Sequence, residues 1–208
     1  MAITGEELLS NLSLLLYDGQ GETWDDDLKT SLVNEAIGLI TLARPDASAV
    51  TESFTVIANT PKQTIPATGI RFLDVIMNTD GAPVRKTTRE ALNDTVPAWT
   101  TTTGTSIETY AYDEENPKTF WLQPVPDSAL SIELVYSDTP DTFTIDSSSI
   151  GISDIYLASI KDYVLGRCYG MSTNGADLGK SASHMTMFYK VLGLKLESDI
   201  VMKQVQEA

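Results

Sequence analysis

The chain alternates between two kinds of hydrophobic pattern. From Glu6 to Tyr17, EELLSNLSLLLY places Leu8, Leu12, Leu15 and Leu16 three to four residues apart, which predicts an amphipathic helix stopped at Asp18-Gly19. TWDDDLKTSLVNEAIGLITLARPD predicts a second, with Trp24, Leu28, Leu32, Ala36, Leu39 and Ile40 on one face and Val33 and Ile37 widening it. Thr23 reads as its N-cap, Asp25, Asp26 and Asp27 suit the positive end of the helix dipole, and Pro45 ends it.

From Val50 the spacing changes. VTESFTVIA, KQTIP, GIRFLDVIMN, PVRK, SIETYAY, KTFWLQP and ALSIELVYS are short, rich in β-branched and aromatic residues, and separated by turn residues. Asn59-Thr60-Pro61 and Thr79-Asp80-Gly81 read as connections between antiparallel neighbours. TTREALND predicts a short interrupting helix, and VPAWTTTTGT a loop carrying Trp99.

Helical spacing returns after the polar linker SDTPDTFTIDSSSIGISD. SDIYLASIKDYVLGRCYG has Ser153 as N-cap, an apolar series from Ile155 to Cys168, and Gly170 as a stop. GADLGKSASHMTMFYKVLG groups Leu178, Met185, Phe188 and Leu192 on one side. Four apolar stripes, two near each end of the chain, must be buried, and they do so most cheaply against one another. The expectation is an α+β fold: a four-helix-type bundle from N-terminal helices (1–47) and C-terminal helices (141–193), an inserted antiparallel β domain (48–140), and a tail (194–208).

Composition narrows what such a fold can do. With 42% hydrophobic residues a core is expected, and with 14 Lys+Arg against 29 Asp+Glu the formal net charge is −15. That balance argues against general nucleic-acid affinity, which needs clustered cations to release counterions, and favours repulsion of DNA at close range. Cys168 is the single cysteine, so no intrachain disulfide or cysteine-based metal cluster forms. The first residues lack a basic region ahead of the apolar run, and no apolar run approaches the roughly 20 residues of a membrane span. The expectation is a soluble protein made in a cytosol.

Candidate chemistry is sparse. His184 in SASHMTMFYK lies near Ser181 and Ser183, but SxSH on a helix is not a nucleophile elbow, and packing is the simpler role. WDDD and DEEN lack the alternating oxygen ligands and turn glycine of a calcium loop, so Asp25–Asp27 read as dipole partners and Asp113–Glu115 as a solvated turn. STNGADLGK lacks P-loop order, and Gly175, Gly179 and Lys180 read as a helix start. Arg85, Lys86 and Arg89 form the only basic knot, which reads as a salt-bridging surface. No catalytic, cofactor or metal site is expected.

The segment YAYDEENPKTFWLQPVP stands out for its aromatics. If its strands pair across Asp113–Pro117, alternation sends Phe120 and Trp121 to opposite faces. One ring then serves the core. The other is covered either by this chain's own helices or by a neighbouring subunit, where aromatics are favoured anchors. Trp99 and Trp121 could alternatively form the stacking platform of a carbohydrate- or protein-binding β module.

Taken in order, the helix ending in RPDA, the segment QTIPATGIRFLDV, the hairpin DEENPKTF and the helix DIYLASIKDYVLGR resemble tailed-phage head-to-tail adaptor (connector) proteins and are similar to the tail tubular protein A group. The resemblance covers about residues 22 to 193. It implies a helical bundle with an inserted β domain, assembled as a twelve-membered ring beneath the portal protein. Such a ring seals the head–tail junction of the virion, meets a tail or nozzle protein, and forms a duct through which DNA leaves without sequence-specific binding. It implies no catalytic residue, cofactor or membrane partner. The tail LKLESDIVMKQVQEA fits a portal-docking arm with Leu196, Ile200, Val201 and Val205 as anchors, and Trp99, Phe120 and Trp121 are the candidate contacts elsewhere.

Overall fold

A computed structural model describes residues 3–171 and 176–193. Its helices are α1 (Gly5–Leu15), α2 (Asp26–Ala43), α3 (Arg89–Thr95), α4 (Leu157–Met171) and α5 (Leu178–Val191). Its strands are β1 (Ala49–Thr55), β2 (Lys62–Thr64), β3 (Gly69–Asn78), β4 (Arg85–Thr87), β5 (Thr103–Gly104), β6 (Thr109–Tyr112), β7 (Thr119–Gln123), β8 (Val125–Pro126) and β9 (Ser131–Asp138). The chain divides into two compact units, Met1–Ala47 with Pro140–Ala208, and Ser48–Thr139.

In the first unit α1, α2, α4 and α5 contribute to one apolar core. Helix α1 begins with a capping box: the Thr4 hydroxyl accepts the Glu7 N–H at 3.2 Å, and the Glu7 carboxylate accepts the Thr4 N–H at 3.1 Å. Leu8, Leu9 and Leu12 are buried, whereas Leu15, expected on the same stripe, lies 46% exposed. Helix α2 is capped by Asp25, which accepts the Leu28 N–H at 2.7 Å, and not by Thr23. The reason lies in Asp18. Its carboxylate accepts the N–H groups of Glu22, Thr23 and Trp24 at 2.8–3.0 Å, so those residues wrap around it and cannot start a helix.

Two further expectations shift at the C-terminal helices. Ser153 makes no side-chain cap bond. A 3₁₀ turn over Asp154–Tyr156 precedes α4, which runs past Gly170 to Met171. On α5, Phe188 is fully buried and Leu192 nearly so, but Leu178 is 70% exposed because it sits in the first turn after the Asp177 cap. Gly166 allows close approach of α5, since a Cβ there would come within 2.9 Å of Met185, and the Ser181 hydroxyl donates to the Gly166 carbonyl at 2.7 Å.

The return segment before α4 is more than a polar linker. Phe143, Ile150 and Ile152 enter the helical core. Asn34 on α2 clasps Phe143 at both ends of its peptide unit: its amide nitrogen donates to the Phe143 carbonyl and its amide oxygen accepts the Phe143 N–H, each at 2.9 Å. The first residue of α1 must be small here, because a Cβ on Gly5 would strike the carbonyls of Thr144 and Ile145.

The second unit holds a three-stranded sheet in the order β1-β9-β3, a four-stranded sheet β2-β7-β6-β4 and a two-stranded pair β5-β8. Most pairings are antiparallel, as expected, but β4 pairs with β6 and β5 with β8 in parallel. The turn at Asn59–Pro61 does not join paired neighbours, since β1 and β2 lie in different sheets. It is instead held by Gln63, whose buried amide bonds the backbone of Ile57 and Thr60. After Thr79–Gly81 the chain folds back on β3 only as far as Pro83–Val84, and then enters the other sheet. Phe72 of β3 links the layers: its ring stacks on Phe120 of β7 at 4.7 Å between centroids and contacts Tyr110 of β6 at 5.4 Å.

Two outcomes follow from these contacts. Three backbone donors hold the Asp18 carboxyl below its ordinary value, so its contribution is present above the unfolded value of about 3.9 and fades as pH falls through the lower folded value. Asp18→Asn is therefore expected to lower the melting temperature at pH 7, and the deficit against the parent protein should shrink progressively below about pH 4. Phe120→Ala should destabilise the β unit by about 3–5 kcal/mol in denaturant titrations, because it removes the ring stacked on Phe72 and leaves a cavity.

Candidate functional site

Strands β6 and β7 pair antiparallel, with Tyr112 opposite Phe120, Ala111 opposite Trp121 and Tyr110 opposite Leu122. Alternation across this register separates the adjacent aromatics as expected. Phe120 points into the core between the sheets and is fully buried. Tyr110 shares that face, where its hydroxyl donates to Asp74 at 2.5 Å and burial pushes the phenol well above its ordinary range.

Trp121 faces the other way, onto a small cluster of Leu92, Val96, Trp99 and Ala111. Helix α3 makes this cover possible. Thr88 caps it, accepting the Ala91 N–H at 3.2 Å, and Leu92 and Val96 then fall one turn apart over the sheet. The Arg89 guanidinium lies 4.7 Å above the Trp121 ring and donates to Asp113 at 2.7 Å. Trp99 is buried and its indole N–H donates to Asn93 at 2.8 Å.

The chain thus covers much of this aromatic surface itself. Phe120 and Trp99 are enclosed by neighbouring residues of this chain, and only half-buried Trp121 keeps an accessible edge. Trp99 and Trp121 do not form an open platform for a sugar ring, because both pack into the cluster with Leu92 and Ala111. Leu196, Ile200, Val201 and Val205 lie outside the described residues.

The titratable groups singled out in the sequence have structural partners. His184 Nδ1 lies 2.9 Å from Asp162 Oδ1, and its ring stacks on Tyr169. The Ser181 hydroxyl is committed to Gly166, so it is not presented to the histidine. Asp25 caps α2, Asp26 pairs with Lys29 at 2.8 Å, and Asp113 takes Arg89 and the Glu115 N–H. Of the basic knot, Arg89 has this ion pair, as expected of a salt-bridging surface. Among the described residues, Arg85 and Lys86 have none. Among the described residues no cluster of three His, Cys, Asp or Glu is arranged to hold a metal, and no helix is long and apolar enough to cross a membrane.

Sequence reading did not single out Lys29. Its side chain is only 1% exposed, and its ammonium donates to Ser13 Oγ at 2.5 Å as well as pairing with Asp26. It borders an open cleft of about 530 Å³ lined also by Ser10, Gln20 and Asp25. A lysine beside Leu28 and ahead of Leu32-Val33 was the available signal, since a cation on a buried face needs acceptors nearby. Burial pushes the Cys168 thiol up to about 11, which keeps it protonated and unreactive near neutral pH.

Among the described residues, the groups singled out in the sequence are engaged in caps, ion pairs and packing. No curated protein matches the chain. Its sequence does match the family described as SU10 adaptor protein over residues 3–206, a span that takes in the helical residues at both ends and the whole β unit. In agreement with its resemblance to phage head-to-tail adaptors, the chain belongs to the SU10 adaptor protein family.

Proposed function

We propose that this protein is a non-enzymatic, structural component of a tailed-phage virion, assembled in the host cytoplasm as a ring between the portal and the tail or nozzle proteins. The observation that carries the reading is the family match across residues 3–206. In this reading twelve copies seal the head–tail junction and line part of the channel through which DNA is ejected. The four long helices act as a four-helix bundle, residues 48–140 act as an inserted domain, and residues 194–208 dock onto the portal through Leu196, Ile200, Val201 and Val205. Half-buried Trp121 is the aromatic best placed to meet a neighbour, with Trp99 packed in the same cluster and Phe120 in the core on the opposite face of the sheet.

The charge balance supports a duct that DNA traverses without adsorbing. At a net −15 per copy, a ring repels the phosphate backbone over about one Debye length, roughly 8 Å at physiological salt. The basic knot Arg85, Lys86 and Arg89 is small against that repulsion.

Electron microscopy of this protein mixed with purified portal rings is expected to show a collar of density stacked at the portal's narrow end. Isolated portal rings with no added density would count against the proposal. In limited proteolysis, residues 194–208 should be cut in the free protein and protected once portal is added. Equal protection in both samples would remove the docking arm from the reading while leaving the collar experiment to judge the rest.

A further inference from the structure

The sheets of the β unit differ in how their edges are finished. Strand β3 has three irregularities in its register against β9, and its outer side already takes bonds through Phe72 N–H to Pro117 and through the Ile76 carbonyl to Val84. Strands β2 and β4 are three residues each and carry Lys62 and the pair Arg85-Lys86. Short length, bulges and charge are the usual means of restricting what an edge can pair with. Strand β1 has almost none of these. It runs seven residues, AVTESFT, in unbroken register with β9, contains no proline and has Glu52 as its single charge. All of it is exposed except half-buried Phe54.

The hydrogen-bond parity of β1 is fixed by its continuation, where the Val56 N–H donates to the Leu130 carbonyl at 2.9 Å. In an antiparallel ladder alternate residues bond the same neighbour, so Val50, Glu52 and Phe54 face β9 and Thr51, Ser53 and Thr55 direct their N–H and C=O groups away from it. That leaves at least three donors and three acceptors in a row on an edge with no strand against it among the described residues. The same reasoning applied to β4, where the Arg85 N–H donates to the Glu108 carbonyl, turns the backbone groups of Lys86 outward.

We infer that the open edge of β1 is a strand-pairing surface for a second copy of this chain, and that β4 of that copy, with Arg85 and Lys86, is the strand it receives. Charge selects the occupant: the single charge on β1 is the carboxylate of Glu52, whereas β4 carries two exposed cations without ion pairs among the described residues. Pairing β1 with β1 would bring Glu52 toward its own copy and close a two-fold dimer. Pairing β1 with β4 joins two different surfaces, so each copy can accept one neighbour and offer itself to the next. The inference rests on the ring reading of the proposed function and names the contact that builds the ring.

Proline at an outward position tests the backbone component, because it deletes an N–H that has no partner among the described residues. Thr51→Pro and Ser53→Pro should keep the parent's circular dichroism and melting temperature, yet raise the concentration needed for assembly on portal about tenfold each, read by sedimentation or mass photometry. Glu52→Lys and Lys86→Glu should each weaken assembly, and the double variant should restore it. Restoration also separates pairing from the bond that Glu52 accepts from Tyr136 at 3.1 Å, which the double variant does not rebuild. A Thr51→Cys, Lys86→Cys protein should give a ladder of disulfide-linked multimers on oxidation, free of interference from fully buried Cys168. Folded proline variants that assemble like the parent, with no cross-linked ladder, would overturn the strand pairing and leave the ring intact. A parent chain that forms no ring on portal would instead remove the ring reading, and the inference with it.

Discussion

Asn34 and the backbone of Phe143 are 109 residues apart in sequence and joined by two hydrogen bonds of 2.9 Å. A side-chain amide that satisfies both the N–H and the C=O of one residue does for a returning segment what a neighbouring strand does in a sheet. It lets an extended stretch enter a helical core without burying unpaired backbone groups. The segment from Pro140 to Ile152 depends on it, and with it Phe143, Ile150 and Ile152 fill space between the helices. Because α1 begins directly against this segment, where the Gly5 N–H donates to the Ser147 carbonyl at 2.7 Å, the clasp also sets where the first helix sits. The helical core therefore relies on a contact that no helical periodicity announces.

The β unit solves a different problem, which is to place large rings on both faces of a narrow sheet. Phe120 and Trp121 differ by one position, and the pleat alone separates them. On one side Phe72 gathers Phe120, Tyr110 and Tyr112 into a single aromatic contact set. On the other a seven-residue helix, too short to be stable by itself, persists because Leu92 and Val96 land on Trp121 and Trp99 and because Arg89 both covers the indole and reaches Asp113. Sheet and helix stabilise each other, which explains why a helix interrupts a run of strands at all.

Much of this was legible in the chain. The strand GIRFLDVIMN matches β3 residue for residue, the β6–β7 hairpin forms across its acidic turn, and the opposite fates of Phe120 and Trp121 follow from alternation. The misplaced boundaries share a cause. Thr23 and Ser153 are good capping residues locally, but Asp18 had already recruited the backbone ahead of α2, and a 3₁₀ turn separates Ser153 from α4. Caps are won by whichever acceptor reaches the amides first in three dimensions, and sequence ranks only local competitors. The two-residue strands β5 and β8 and the parallel pairings were likewise invisible, since they depend on which sheet a strand joins and not on its composition. The buried Lys29 and the open edge of β1 are of the same kind: burial and pairing count are properties of neighbours.

In the proposed ring, an adaptor of this composition would face a conflict between its duct and its own assembly. Negative charge that keeps DNA from adsorbing also makes identical copies repel, and −15 per copy is a large charge for a chain of 208 residues. Contacts between copies in that ring would therefore draw on interactions that do not scale with net charge. Backbone hydrogen bonding is the least charge-dependent of these, since a ladder pairs neutral groups whatever the side chains carry. The chain has little cation to spend, 14 Lys+Arg in all, and two of them stand side by side on one short edge strand. An edge-to-edge contact steered by that pair would let a strongly acidic surface coexist with a closed assembly. In such a ring the distribution of charge along the sheets, more than its total, would reconcile a repulsive duct with a cohesive assembly.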